Sequence, residues 1–300
     1  MNIEPSSPHE AGLEGLPLDA SVQPQIERGL AVHSDMLGHR CLADYTYRNL
    51  YLFRRVHAYR FFPGELPCVG GVAYDGTRFL LPLFDLATIA AAKLQRLLGN
   101  DRVFFPIAEQ VIGQMDMRQF WSHVSPDDSD YLFDARHMSD LSGPGLGSKR
   151  HAIERLLRAH TIETRQLGDN EVAAARTVLD EWCRDKRMPA TEADVVPCQE
   201  ALSASGLDRM AGYIYYADGR PAGFTMGESL GSGTFVFRFA KGLAAFEGIY
   251  PYMFRDYCAR NRDTIRWINF EQDLGNAGFR RSKRSYRPVA MLSKYRVRPL

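Results

Sequence analysis

WINFEQDLGNAGFRRSKRSYRP, residues Trp267–Pro288, is the stretch on which the reading of this chain turns. It opens on an apolar, strand-like run. Asn269, Glu271 and Asp273 then fall at every second position, and side chains at that spacing on a strand share one face. That face carries two carboxylates. Two glycines follow, and then a dense basic run: Arg280, Arg281, Lys283, Arg284 and Arg287. Such a segment can build a site for a charged or phosphate-bearing substrate. It can equally be a strand end, a glycine turn and a solvated basic rim.

Outward from it, the pattern is that of an α/β protein. Asp75-Gly76 separates the apolar runs Cys68–Tyr74 and Arg78–Phe84, and Asp218-Gly219 separates Met210–Tyr216 from Pro221–Glu228. Asp-Gly between apolar runs predicts a hairpin, because the tight turn needs positive φ. The two hairpins stand about half the chain apart, and helical spacing precedes each. Helices are predicted from near Leu18 with Asp19 as cap, over Asp44–Phe53, Leu86–Leu98, Ala108–Met115, Lys149–His160, Glu171–Arg187 and Phe246–Asn261. Further strands are predicted over Asp101–Pro106, Gly233–Phe239, Ile265–Phe270 and Val289–Tyr295. A tandem repeat of one α/β unit fits this order. Ser139–Ser148, rich in Gly and Ser, reads as a linker.

Three hundred residues point to two domains. Net charge is +1, so nothing draws the whole molecule to nucleic acid or membrane. Pro251–Leu300, however, holds twelve Lys/Arg against four Asp/Glu, enough for a local anion-binding surface. The five cysteines are scattered, without CxxC spacing, so neither a zinc site nor a disulfide framework is indicated. A reducing, cytoplasmic setting is expected. There is no apolar run of transmembrane length and no signal-peptide pattern. Residues 1–16 are expected to be a flexible tail. Walker loop, HExxH, GxGxxG and nucleophile-elbow motifs are absent, and no metal is implied.

Several segments together resemble one bacterial family. They are DYLFDARHMSDLSG (130–143), KRHAIERLL (149–157), GRPAGFTMGESL (219–230), KGLAAFEGIY (241–250) and the closing INFEQDLGNAGFRRSKRSYRP. The family is the one grouped with the C-terminal domain of phosphatidylglycerol lysyltransferase. The resemblance implies two tandem GNAT-like domains, each a mixed, mostly antiparallel sheet flanked by helices. The first would span 17–140; the second, 141–300, would carry the active site. It also implies acyl transfer by direct attack, with aminoacyl-tRNA as donor in the better-known relatives and acyl-CoA in more distant ones. The acceptor would be an amine or hydroxyl on a small molecule, peptide or lipid headgroup. No tightly bound cofactor is implied. The family usually has Glu before the lysine at 241; here Ala240 stands there.

Acyl transfer needs a base for the nucleophile and a donor for the leaving oxygen. Glu271 or Asp273 is a candidate to act as general base or to bind an α-ammonium group. Alternatively, Asp273 caps the turn at Gly275 and Glu271 pairs with a nearby Arg. Tyr250 is a candidate proton donor or a core tyrosine. Lys241, Asn269, Arg280, Lys283 and Gly248 are candidates for holding an anionic donor, Gly248 because a helix N-terminus presents free N–H groups. Tyr286 is a candidate for stacking on a base. Lys149 and Arg150 would extend the basic surface across the domain junction. A non-catalytic protein binding RNA or an anionic metabolite would keep the cations and dispense with Glu271.

Overall fold

A computed structural model describes residues 15–187, 194–203 and 210–300. The tail expected over 1–16 lies outside the described residues up to 14, and Leu16 already pairs with Phe61. The strands are β1 Leu16–Pro17, β2 Arg60–Phe62, β3 Cys68–Val72, β4 Arg78–Pro82, β5 Val103–Ala108, β6 Phe120–Val124 and β7 Asp130–Asp134. They continue as β8 Ile162–Gln166, β9 Ala211–Ala217, β10 Arg220–Gly231, β11 Thr234–Gly242, β12 Trp267–Asn269, β13 Ala290–Leu292 and β14 Lys294–Pro299. Both Asp-Gly hairpins form, β3–β4 and β9–β10. At the second, Asp218 and Gly219 both take positive φ, as the tight turn requires.

Two sheets result among the described residues. One runs β1-β2-β3-β4-β5-β14-β6, the other β13-β7-β12-β11-β10-β9-β8. Each contains one parallel pair, β4 with β5 and β11 with β12, and is otherwise antiparallel. The halves exchange strands. β7, from the first half, inserts beside β12 in the second sheet, and β14, from the chain's end, inserts beside β5 in the first. Both exchanges therefore cross the division expected at 140/141. The strand expected over Val289–Tyr295 is in fact two, β13 and β14, in different sheets. At Ser293 the chain leaves one sheet for the other, so a continuous apolar run hides a crossover.

Helices cover the sheets largely where helical spacing placed them. Gln23–Leu37 begins after Val22 rather than at Asp19, with Pro24 in its first turn, where a missing N–H costs nothing. Thr46 caps Tyr47–Leu52 by accepting from the Asn49 N–H. Gly147–Ala159, Val172–Lys186 and Ile249–Arg260 pack on the second sheet. The basic run, expected as a turn and rim, is a helix, Ala277–Arg284, capped by Asn276. One apolar core lies under the first sheet and two lie on the faces of the second.

β10 and β11 approach too closely for side chains at two glycines. A Cβ on Gly227 would lie 1.9 Å from the Val236 carbonyl oxygen, which is backbone and cannot swing away. Gly227→Ala is expected to cost about 1–3 kcal/mol in urea or thermal unfolding. Gly168→Ala, where a Cβ meets nothing within 4 Å, stays within about 0.5 kcal/mol of wild type. Equal stabilities for the two variants would contradict this packing.

Candidate active site

The site begins at a fault in a strand. β11 pairs with β10 through Gly227↔Phe237 and Met226↔Phe239, so Arg238 is the extra residue of a β-bulge. A bulge leaves its residue without a ladder partner and turns the side chain to a new direction. The Arg238 side chain is 0% exposed. Its Nε donates to Glu228 at 2.9 Å and its Nη1 to Glu271 at 2.6 Å. Its Nη2 donates to the Ala43 carbonyl at 2.7 Å and to the Thr46 hydroxyl at 2.9 Å. One guanidinium thus ties together two strands, the loop after β12 and the first half of the chain.

On its other side β11 parts from β12. The two are paired only over Thr234–Val236 against Trp267–Asn269, after which β11 runs on alone to Gly242. Arg238 and Glu271 face each other across this opening. Here the strand expected to continue through Asp273 has ended. Asn269 turns inward, donating to Asp130 at 3.1 Å and accepting the Glu271 N–H at 2.7 Å. Glu271 itself has φ of +55°. A non-glycine residue there stores backbone strain, which persists only where its surroundings hold it. The three alternating polar groups therefore do not share a face; each has its own partner.

The Glu271 side chain is 22% exposed, the accessible member of the Arg238 cluster. Burial raises its carboxyl above the ordinary glutamate range, and the charge of Arg238 only partly opposes this. Lys283 braces the backbone beside it, donating to the carbonyls of Phe270 and Gln272 at 2.6 Å each. Burial brings that ammonium down to about 8. Lys283 is thus turned into the chain and not toward an outside phosphate.

The structure gives several other candidates structural work. Asp273, fully buried, accepts from the Tyr131 hydroxyl at 2.6 Å, from Arg280 Nε at 2.9 Å and from the Gly275 N–H at 2.9 Å. It is a turn cap, not a free base. Arg280 is held by Asp273 and by Asp127 at 2.5 Å. Tyr286, 2% exposed, packs edge-on against Phe254 and cannot stack on a base. Lys149 lies over its ring at 4.3 Å, and Arg150 donates to the Leu141 carbonyl. A Cβ on Gly248 would strike the Ala152 carbonyl, so that glycine is required by helix packing.

Lys241 and Tyr250 meet at the far end of β11. Lys241 pairs with Asp194 and sits 3.9 Å over the Trp182 ring. The Tyr250 oxygen accepts from Trp182 Nε1 at 2.9 Å, which leaves its own proton to donate. Tyr74, from the first sheet's hairpin, packs edge-on against His57 at 4.7 Å. Burial, then the charges of Glu271 and of Asp194, hold its hydroxyl above the ordinary range. Sequence reasoning missed Arg238, Glu228, Tyr74, Trp182 and Asp194. The signal for the first two was present: charged residues flanked by apolar ones inside the strands TFVFRFAKG and GFTMGESL.

A family profile described as "Phosphatidylglycerol lysyltransferase, C-terminal" matches residues 43–298. The chain belongs to that family. A conserved protein of unknown function from Bacteroides thetaiotaomicron superposes with a TM-score of 0.78 at 19% identity, covering 96% of this chain and 99% of its own. The C-terminal domain of a putative lysylphosphatidylglycerol synthetase from Agrobacterium fabrum gives 0.61 at 12%, covering 92% of each chain. L-PGS from Bacillus licheniformis gives 0.59 at 15%, covering 95% and 93%. A search of curated proteins returned no match. The fold is the tandem GNAT-like arrangement of an acyltransferase family. Among the described residues no helix is long and apolar enough to cross a membrane, and no cluster of side chains could hold a metal.

The role of Asp273 has a pH signature. Burial pushes its carboxyl up, but the bonds from Arg280, Tyr131 and Gly275 outweigh this and bring it down to about 2, from 3.8. A depressed carboxyl stabilises the fold above its unfolded value and loses that contribution as pH falls through the folded one. Asp273→Asn should therefore cost about 2–4 kcal/mol at pH 7. The gap to wild type should close between about pH 4 and pH 2, as followed by urea unfolding at each pH. A gap independent of pH would exclude the ionised cap.

Proposed function

We propose that this chain transfers an aminoacyl group from aminoacyl-tRNA to an amine or hydroxyl acceptor: a small molecule, a peptide or a lipid headgroup. The observation that carries the reading is Glu271. It is a strained, partly accessible carboxyl with a raised pKa, held by a buried arginine where two strands part. A carboxyl with a raised pKa is a competent general base near neutral pH.

In this mechanism the acceptor N–H or O–H gives its proton to Glu271 as its lone pair attacks the ester carbonyl of the donor. The carbonyl–oxygen bond to the terminal ribose then breaks. The departing oxygen takes a proton from Tyr250, whose own oxygen is held by Trp182 Nε1. Arg238 keeps Glu271 oriented and limits the rise in its pKa. Direct attack leaves no covalent enzyme intermediate. Of the basic run, Arg281, Arg284 and Arg287 are exposed and would meet the donor's phosphates, while Arg280 and Lys283 are engaged internally.

The test is transfer from a panel of charged tRNAs and acyl-CoAs, with binding measured in parallel. Glu271→Gln should lower kcat/KM by about 10²–10⁴-fold while leaving donor affinity within about twofold. The acidic limb of the wild-type profile should lie above the ordinary glutamate value, because activity is lost as the raised carboxyl protonates. Donor affinity should fall steeply with salt if the donor is tRNA. Turnover by Glu271→Gln at the wild-type rate would remove Glu271 from the mechanism. Turnover with acyl-CoA alone would replace the donor.

A further inference from the structure

A second cavity lies on the other side of Arg238. It measures about 530 Å³ and is walled by the helix Gln23–Leu37, the segment Tyr45–Leu52, Glu200 and Glu228. That volume suits a small-molecule ligand. None of the residues proposed for transfer lines it. Its walls are of two kinds. Tyr45, Tyr47, Leu30 and Leu52 provide an aromatic and aliphatic surface. Glu27, Glu200 and Glu228 provide three carboxylates, against Arg48 as the one cation of the lining.

Glu228 is what turns this from a cleft into a site. It is 9% exposed, and its Oε1 receives both the Thr46 hydroxyl at 3.0 Å and Arg238 Nε at 2.9 Å. Its Oε2 takes no hydrogen bond among the described residues. Oε2 is not among the fully buried atoms, and Glu228 lines the cavity, so this oxygen is open to a donor from within it. Arg238 cannot supply the missing charge, because it is divided between Glu228 and Glu271. Within this trio one guanidinium faces two carboxylates. Glu200, by contrast, is already matched, its two oxygens bound by Arg54 at 2.7 and 3.1 Å.

We propose that this cavity is a binding site for a small cationic amine. A ligand ammonium would donate to Glu228 Oε2, while an apolar or aromatic body lies against Tyr45, Tyr47 and Leu30. The ammonium brings a second positive charge to the trio, and burying the body adds hydrophobic and ring contacts. An anionic ligand would meet the same carboxylate and be repelled. The site is distinct from the transfer centre and does not depend on the transfer reading. Because Arg238 serves both carboxylates, a cation bound there also adds to the field felt by Glu271.

The test is calorimetry on the full chain without any acyl donor, using tyramine and cadaverine as probes, with 4-hydroxyphenylacetate and 4-methylphenol as anionic and neutral controls. One amine per chain is expected to bind at least tenfold tighter than either control. Glu228→Gln should weaken the amine by tenfold or more. Removing that carboxylate also disturbs Arg238, so Ala31→Trp is the second variant. It fills the lining from the exposed side without touching Arg238 and should abolish binding with the fold intact by circular dichroism. Equal binding of amine and controls, amine binding that survives Ala31→Trp, or no amine binding at millimolar concentration would each overturn the proposal. Loss of transfer in Glu271→Gln with amine binding intact would keep the two sites separate.

Discussion

Lys294 is the point on which the two halves turn. It is the first residue of β14, the strand lent to the first sheet, and it pairs at 2.7 Å with Asp130, the first residue of β7, the strand lent to the second. Asp44 completes the group at 2.6 Å. The cluster is buried. Burial works against the ammonium, but the two carboxylates outweigh it and hold Lys294 above its ordinary range. A buried ion pair adds little net stability over a well-packed apolar core, but breaking one is costly. Here it fixes where two crossing strands start, and so fixes the register of both sheets.

The geometry of the candidate site follows from that register. Asp130, held by Lys294, also accepts the Ala43 N–H at 2.8 Å and the Asn269 amide. Asn269 in turn holds the backbone of Glu271. Arg238 grips the same segment from the other side through the Ala43 carbonyl and Thr46. The base candidate is therefore positioned by groups from three distant parts of the chain, none of which reaches it alone. This is what allows Glu271 to keep a strained backbone conformation beside an opening between strands.

Much of the framework was legible in the residues. Local signals, an Asp-Gly turn or a helical apolar stripe, depend only on near neighbours, and they located both hairpins and most helices. Short strands such as Asp130–Asp134 were not legible, because five mostly buried residues show no alternation and their partners lie far along the chain. The helix Ala277–Arg284 was missed because it has no apolar stripe and contains Gly278. In the site, Glu271 was named from its spacing, but for a reason the structure replaces: it does not share a strand face with Asp273. The basic cluster was read as a phosphate surface, whereas Arg280 and Lys283 are engaged within the fold.

What the sequence determined by itself was the family, the α/β class, the paired hairpins and a polar and basic segment around Glu271. These rest on local propensity and on motif spacing, which the chain carries in any conformation. Only the tertiary structure decided which carboxylates are free. Asp273 is capped and Arg-bound, Glu271 is raised and accessible, and Glu228 is half-satisfied at the wall of a second cavity. That distinction is a matter of which charges are buried together. It depends on the exchanged strands and on one bulged arginine, and no local stretch of sequence records it.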